Sequence, residues 1–233
     1  MQIRNLFTPL LSLVFCTYAL SALAQSQKWP EVSDDGLRLV KGSKMSVVYA
    51  EPGADLGIYK RVMLKTPEVA FKKNWERQQR AGSADKLGGP STRTIKRKLA
   101  EEFEAVFTET LTNGGYELVE EAASDVLVVR PMIINLDVNA PNRSGAGRNE
   151  NYVRSAGEMT LYIELFDSET GDMIAKALDR KVDNPNNVHY YTWATPASNK
   201  QAADTILTGW ANILLNALNE AKDSAPLPMP EAD

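Results

Sequence analysis

The centre of the fold is set by residues 158–182, which read EMTLYIELFDSETGDMIAKALDRKV. Over the first eight residues polar and apolar side chains alternate, and the apolar ones are Met159, Leu161, Ile163 and Leu165. A period of two predicts a β-strand with one face buried and the other facing water. Gly171 can adopt the positive φ that a turn at 167–172 requires. Residues 173–182 are therefore predicted to return as the second strand of a hairpin.

Other segments of the chain also have the pattern of strands. These are residues 45–50, 59–65, 116–119 and 125–138. In the last of them, Pro131 lacks the N–H that a sheet ladder uses, which indicates a bulge or an edge position. Residues 67–80 fit two interpretations, because Pro67 suits the first turn of a short helix, whereas Val69 and Phe71 alternate as in a strand.

Two amphipathic helices are predicted to cover this sheet. In residues 93–113 apolar side chains recur every three or four positions, with Ser91 or Thr92 available as the N-cap. Residues 199–222 show the same period, and Ser198 and Gln201 have capping-box spacing. Half-buried strands and one-sided helices can bury their apolar faces only against each other. The expected fold class is α+β, a largely antiparallel sheet of about five to six strands with both helices on one face.

The start of the chain has the pattern of an export signal. Arg4, an apolar run at 6–20 and Ala22-Leu23-Ala24 follow the order of a signal peptide, which we expect to be cleaved after Ala24; an uncleaved anchor is the alternative. The single cysteine, Cys16, follows Phe15 where a lipoprotein signal has a small residue, so we expect a periplasmic protein that is not lipidated. The predicted organisation is a signal peptide at 1–24, a flexible lead at 25–36, a single α+β domain at 37–222 and a disordered Pro-rich tail at 223–233.

Positive charge is concentrated in one part of the chain. Residues 60–98 hold twelve Lys or Arg against three Asp or Glu, although the whole chain has a formal net charge of −4. Such asymmetry is typical of a surface for anionic partners, here anionic lipid headgroups or an acidic envelope protein. A face neutralised by its own acidic neighbours is the alternative. The candidate residues, together called the basic surface, are Lys72, Lys73, Arg77, Arg80, Arg93, Lys96, Arg97 and Lys98.

A second candidate site is the aromatic loop at residues 184–196. It carries His189, Tyr190, Tyr191 and Trp193 among Asn and Thr residues. Exposed aromatic rings beside amides can stack on sugars and bond their hydroxyls, so peptidoglycan is the expected ligand of such a loop. Packing of these rings into the core is the alternative.

Residues suited to catalysis are few. His189 is the only histidine and the predicted mature chain has no cysteine, which excludes a histidine zinc site and thiol chemistry. Ser83 and Lys86 have the S-x-x-K spacing of serine–lysine acyl enzymes, but no Ser-Asp-Asn follows. We expect no metal, no cofactor and a non-enzymatic role as a binding or accessory module, with a hydrolase that uses Ser83 or His189 as the alternative. The expected compartment disfavours nucleic acid.

Several short motifs occur in an order that resembles a known family. They include Pro52-Gly53-Ala54-Asp55-Leu56, Tyr59-Lys60-Arg61-Val62-Met63-Leu64, Val69-Ala70-Phe71-Lys72-Lys73-Asn74-Trp75, Gly157-Glu158-Met159-Thr160-Leu161 and Trp210-Ala211. Over most of residues 35–218 the chain resembles the bacterial envelope proteins known as domain of unknown function 3313. The resemblance implies an envelope location and brings no catalytic residues, since the family has no established activity. Many members have lipoprotein signals, from which Phe15 before Cys16 departs.

Overall fold

The computed structural model describes residues 29–77, 91–138, 152–153, 157–182, 192–193 and 196–223. The strands in these ranges are β1 (Arg38–Leu39), β2 (Val47–Ala50), β3 (Arg61–Leu64), β4 (Glu68–Phe71), β5 (Glu117–Leu118), β6 (Val126–Val138), β7 (Tyr152–Val153), β8 (Gly157–Asp167), β9 (Met173–Val182) and β10 (Thr192–Trp193). The helices are α1 (Thr92–Asn113) and α2 (Pro196–Asp223), with a 3₁₀ turn at Leu56–Ile58. No helix within these ranges has an apolar stretch sufficient to cross a bilayer.

The predicted hairpin, β8 and β9, lies in the middle of an eight-stranded sheet. The strand order is β1-β2-β9-β8-β6-β3-β5, and β4 also pairs with β6. All pairs among β1, β2, β9, β8 and β6 are antiparallel, whereas β3 and β4 run parallel to β6, and β5 runs parallel to β3. Parallel neighbours need a long crossover, and α1 supplies it between β4 and β6. The α+β class is confirmed, with a parallel part that the strand patterns did not predict.

Within residues 67–80, residues 68–71 form β4, which confirms the strand interpretation for Val69 and Phe71, whereas residues 75–77 are helical. β3 pairs with the first half of β6 and β4 with the second half, so the two strands lie in succession along the same side of β6. The Lys65 N–H donates to the Val129 carbonyl at 2.9 Å. Main-chain groups two residues apart point to the same side of a strand, so the nitrogen of Pro131 points to the same side of β6 as the Val129 carbonyl. It therefore faces the interruption between β3 and β4, where its missing N–H costs the sheet no hydrogen bond. The bulge of β6 is instead at Asn135, where φ is 53°.

The hairpin buries the face predicted from the alternation. Met159, Leu161, Ile163 and Leu165 are all buried. The prediction that the opposite face meets water is wrong at Thr160 and Glu164, which are also buried. Protein groups replace water around the buried Glu164 carboxylate, which accepts hydrogen bonds from the Arg130 Nε at 2.7 Å and the Tyr162 hydroxyl at 2.8 Å.

The start of each helix follows from its local sequence. Ser91 is the N-cap of α1, and its hydroxyl accepts a bond from the Thr94 N–H at 3.2 Å, as predicted. The predicted cap at Ser198 is wrong, because α2 already begins at Pro196. Proline suits the first helical position, where its fixed φ is favourable and its missing N–H would have had no partner.

Both helices pack on one face of the sheet, as predicted. Phe103 and Phe107 of α1 stack at 3.9 Å, and with Trp210 of α2 they contact the inward side chains of the sheet.

A smaller cluster lies on the other face. It consists of Leu37, Val47 and Tyr49, with Trp29 packed against it. The Tyr49 hydroxyl donates to the Pro30 carbonyl at 2.9 Å, and Lys176 pairs with Asp35 at 2.6 Å. Residues 29–36, assigned from sequence to a flexible lead, thus lie against the outer face of β2 and β9.

A matched pair of isoleucine substitutions tests the position of the core. Ile133 on β6 is 0% exposed and Ile58 is 50% exposed. Ile133→Ala is expected to lower the free energy of unfolding by about 2–5 kcal/mol, since it leaves a cavity in the core. Ile58→Ala is expected to change it by about 0.5 kcal/mol or less. Urea unfolding of both variants measures the difference, and equal losses would contradict the described core.

Candidate functional site

The fold brings the two halves of the basic surface together. Lys72 and Lys73 follow β4 directly, while Arg93, Lys96, Arg97 and Lys98 lie on the first turns of α1. The Lys96 ammonium is 6.0 Å from the centroid of the Phe71 ring, the last residue of β4. Arg80 lies outside the described residues.

Some cations of the basic surface are already neutralised by neighbours. The Lys72 Nζ is 3.1 Å from a carboxylate oxygen of Asp137 and 3.1 Å from one of Glu158. Hydrogen bonds to Asp137 and then Glu158 raise the pKa of Lys72 above its ordinary value. Arg97 pairs with Glu101 one turn along α1. The alternative of a self-neutralised face therefore applies to Lys72 and Arg97.

Other cations remain available to a partner. Lys73, Arg93, Lys96 and Lys98 are exposed, and none of them has an ion pair within the described part of the chain. The first turn of α1 also contains no acidic residue. Because the N-terminal end of a helix carries partial positive charge, this end of α1 adds to the field of Lys73, Arg93 and Lys96.

A second feature, missed by the sequence reasoning, is an apolar groove of about 440 Å³ between α2 and the sheet. Its floor includes Ala50 of β2 and Ala175 and Ala177 of β9, whose small side chains leave the space open. Its wall on α2 includes Trp210 and Ile213. The sequence does carry a signal for it: Ala175 and Ala177 occupy successive inward positions of β9, where the neighbouring strand β8 has Leu and Ile.

The next inward position of β9 holds a buried carboxylate, Asp179, which is 2% exposed. It accepts hydrogen bonds from the Trp210 Nε1 at 2.9 Å, from the Ser46 N–H at 3.1 Å and from the Ser46 hydroxyl at 2.6 Å. Lys181 is 3.0 Å away. Burial alone would raise the pKa of Asp179, but the bonds from Ser46, Trp210 and Lys181 outweigh it and hold this pKa below its ordinary value. Asp179 thus joins α2 and the residues before β2, which form opposite sides of the groove.

The aromatic loop and the acyl-enzyme candidates lie largely outside the described residues. This applies to Ser83, Lys86, His189, Tyr190 and Tyr191. For Trp193 the structure describes the backbone, which belongs to β10 and pairs with β7 in antiparallel orientation. Within the described ranges, no group of three or more His, Cys, Asp or Glu residues is placed to hold a metal ion.

Comparison with known proteins identifies the family. Residues 31–210 match the family described as "Protein of unknown function (DUF3313)". The chain therefore belongs to the DUF3313 family, which confirms the resemblance seen in its motifs. No curated protein matches it significantly.

Several solved structures overlap with part of the fold at low identity. XCC0632 from Xanthomonas campestris, of family DUF330, is 12% identical, with 74% of this chain and 91% of that chain covered and a TM-score of 0.42. The PelC dodecamer from Paraburkholderia phytofirmans is 11% identical, with 72% and 96% covered and a TM-score of 0.37. A minor lipoprotein from Acinetobacter baumannii is 14% identical, with 69% and 95% covered and a TM-score of 0.32. Similarity at this level assigns neither an activity nor a partner to this chain.

The ionised state of Asp179 is expected to stabilise the fold. Asp179→Asn should lower the free energy of unfolding at pH 7 by about 2–3 kcal/mol, since it weakens bonds to a buried charged group. The folded-state pKa lies below the unfolded value of about 3.9. This contribution is therefore present above that value and is lost as pH falls through the folded-state pKa.

Urea unfolding from pH 7 to pH 3 measures this effect, with Asp204→Asn as the control because Asp204 is an exposed aspartate on α2. The wild-type advantage over Asp179→Asn should shrink toward the acid end. An advantage that stays constant with pH would show that the charge of Asp179 does not stabilise the fold.

Proposed function

We propose that this protein is a non-enzymatic binding module of the bacterial cell envelope, which contacts anionic lipid headgroups through its basic surface. The observation that carries the proposal is the contact between the end of β4 and the start of α1. This contact brings Lys96 beside the end of β4, the strand that Lys73 follows, and Arg93 lies one turn before Lys96 on α1. None of these three cations has an ion pair among the described residues, and all three are exposed. The signal-peptide pattern at residues 1–24 supports an envelope location.

Two features favour a lipid surface as the partner. The unpaired cations sit on long, exposed side chains around a helix end, an arrangement that suits many phosphates spread over a plane. Each cation near an anionic membrane contributes about 1 kcal/mol. The rest of the chain is acidic, since the net charge is −4 despite the excess of cations in residues 60–98. An anionic membrane would repel this acidic remainder of the protein, and the repulsion would orient the basic surface toward the membrane.

Charge reversal at two unpaired positions tests the proposal. Arg93→Glu with Lys96→Glu is expected to weaken binding to vesicles that contain 30% phosphatidylglycerol at least tenfold, because two attractive charges become repulsive. Co-sedimentation at low salt measures the binding, and the wild-type protein should be released as salt screens the charges.

The controls separate a specific face from net charge. Arg38→Glu with Lys60→Glu makes the same change in charge at exposed positions outside the basic surface and should have a much smaller effect. Lys72→Ala should weaken binding less than the double reversal, because it changes the charge by one and Lys72 is already paired with Asp137 and Glu158. Equal binding to neutral and anionic vesicles would refute the lipid proposal. If crosslinking from Lys73 then captured an acidic envelope protein, that protein would be the partner instead.

A non-enzymatic role also predicts the behaviour of the acyl-enzyme candidates. Ser83→Ala and His189→Ala are expected to leave vesicle binding unchanged. Cells that carry either variant in place of the wild-type protein should show the wild-type phenotype. Loss of the phenotype with intact vesicle binding in either variant would instead indicate the hydrolase alternative.

A further inference from the structure

The apolar groove beside α2 is elongated along the helix. Its α2 wall extends from Trp210 to Ala221, which is about 16 Å at a rise of about 1.5 Å per residue. The side chains that face it from the sheet, such as Val48, Ile163 and Leu165, are aliphatic. Its volume of about 440 Å³ lies within the range of small-molecule sites, about 300–1,000 Å³.

The two ends of the groove differ in charge. At the Trp210 end, the bonds of Asp179 to Trp210 and Ser46 hold the turn that precedes β2 against the groove. Lys41 and Lys44 of this turn line the rim. Lys44 is exposed and has no ion pair within the described residues, while Lys41 pairs with Glu31 at 3.3 Å on the surface.

The opposite end is acidic and closed. The 3₁₀ turn packs there against the end of α2, and a Cβ on Gly57 would be 2.9 Å from the Ala221 carbonyl oxygen. Asp55 and Glu220 line this end. The Asp55 carboxylate already has a hydrogen-bond donor within the chain, since it accepts a hydrogen bond from the Gly57 N–H at 2.8 Å.

We propose that this groove binds the acyl chain of an anionic amphiphile. The hydrocarbon tail lies along α2 over Ala175 and Ala177, and the anionic head group lies at the open end beside Lys41 and Lys44. Charge complementarity sets this orientation, since the reverse one would place the head group between Asp55 and Glu220.

The length of the groove indicates how long a bound hydrocarbon chain would be. An extended chain of carbon atoms advances about 1.2 Å per bond, as an extended polypeptide backbone does. A length of about 16 Å therefore matches a chain of about 12–14 carbons, and myristate is the natural probe.

Isothermal titration of the purified protein with monomeric myristate tests the proposal. We expect one myristate per chain, with binding at least tenfold weaker in Ala177→Leu, which fills the floor of the groove. Ala70→Leu is the matched control, because Ala70 is exposed on β4 and does not line the groove. It should bind as wild type does.

A second variant tests the orientation without any change in the core. Lys44→Glu is expected to weaken myristate binding at least threefold, while Lys98→Glu, the same change on the basic surface, should have no effect. Urea midpoints for all four variants establish that each is folded.

Three results would overturn the proposal. They are no measurable myristate binding to the wild-type chain, equal binding by wild type and folded Ala177→Leu, and an unchanged affinity in Lys44→Glu. Sedimentation velocity identifies the competing occupant. A wild-type dimer that Ala177→Leu converts to monomer, without myristate binding, would assign the groove to a second copy of the chain.

Discussion

The position of α2 depends on the buried carboxylate of Asp179. Apolar contacts hold a helix on a sheet without fixing its rotation, because the hydrophobic effect has no direction. The bond from the Trp210 indole to Asp179 is directional and ties one turn of α2 to one residue of β9. Ser46 donates twice to the same carboxylate, so the turn before β2 is placed by the same group. The width of the apolar groove follows from these contacts, and an unpaired carboxylate at this depth would be costly.

The sequence predicted the parts of the fold that local pattern controls. The hairpin of β8 and β9, the cap of α1 at Ser91 and the burial of Trp210 all follow from spacing within a short segment. The parallel pairing of β3 and β4 with β6 did not follow, because alternation within a strand carries no information on the direction of its neighbour. Glu164 was expected in water for a related reason, since its bond to Arg130 crosses between strands.

The candidate sites were predictable to a smaller extent. The excess of cations in residues 60–98 is visible in the sequence. Which of them are paired within the described residues is decided by contacts that are distant along the chain, such as those of Lys72 with Asp137 and Glu158. The apolar groove arises because two helices cover an eight-stranded sheet incompletely, a property of the assembled layers. The basic surface and the groove lie toward opposite sides of the sheet, at β4 and at β2. Four strand spacings of about 4.8 Å separate these two strands, a distance of about 19 Å.

The interruption at Pro67 between β3 and β4 has a consequence for neighbouring molecules. A long, flat edge with free main-chain groups is a template on which other chains can add strands and grow into fibres. Here β5 covers the first half of β3, β4 has only four residues, and Pro67 before β4 cannot donate a main-chain bond. Such an edge offers an incoming strand too few consecutive bonds to extend the sheet from one molecule to the next. The break that lets Pro131 fit into β6 therefore also makes this side of the sheet a poor template for strand addition.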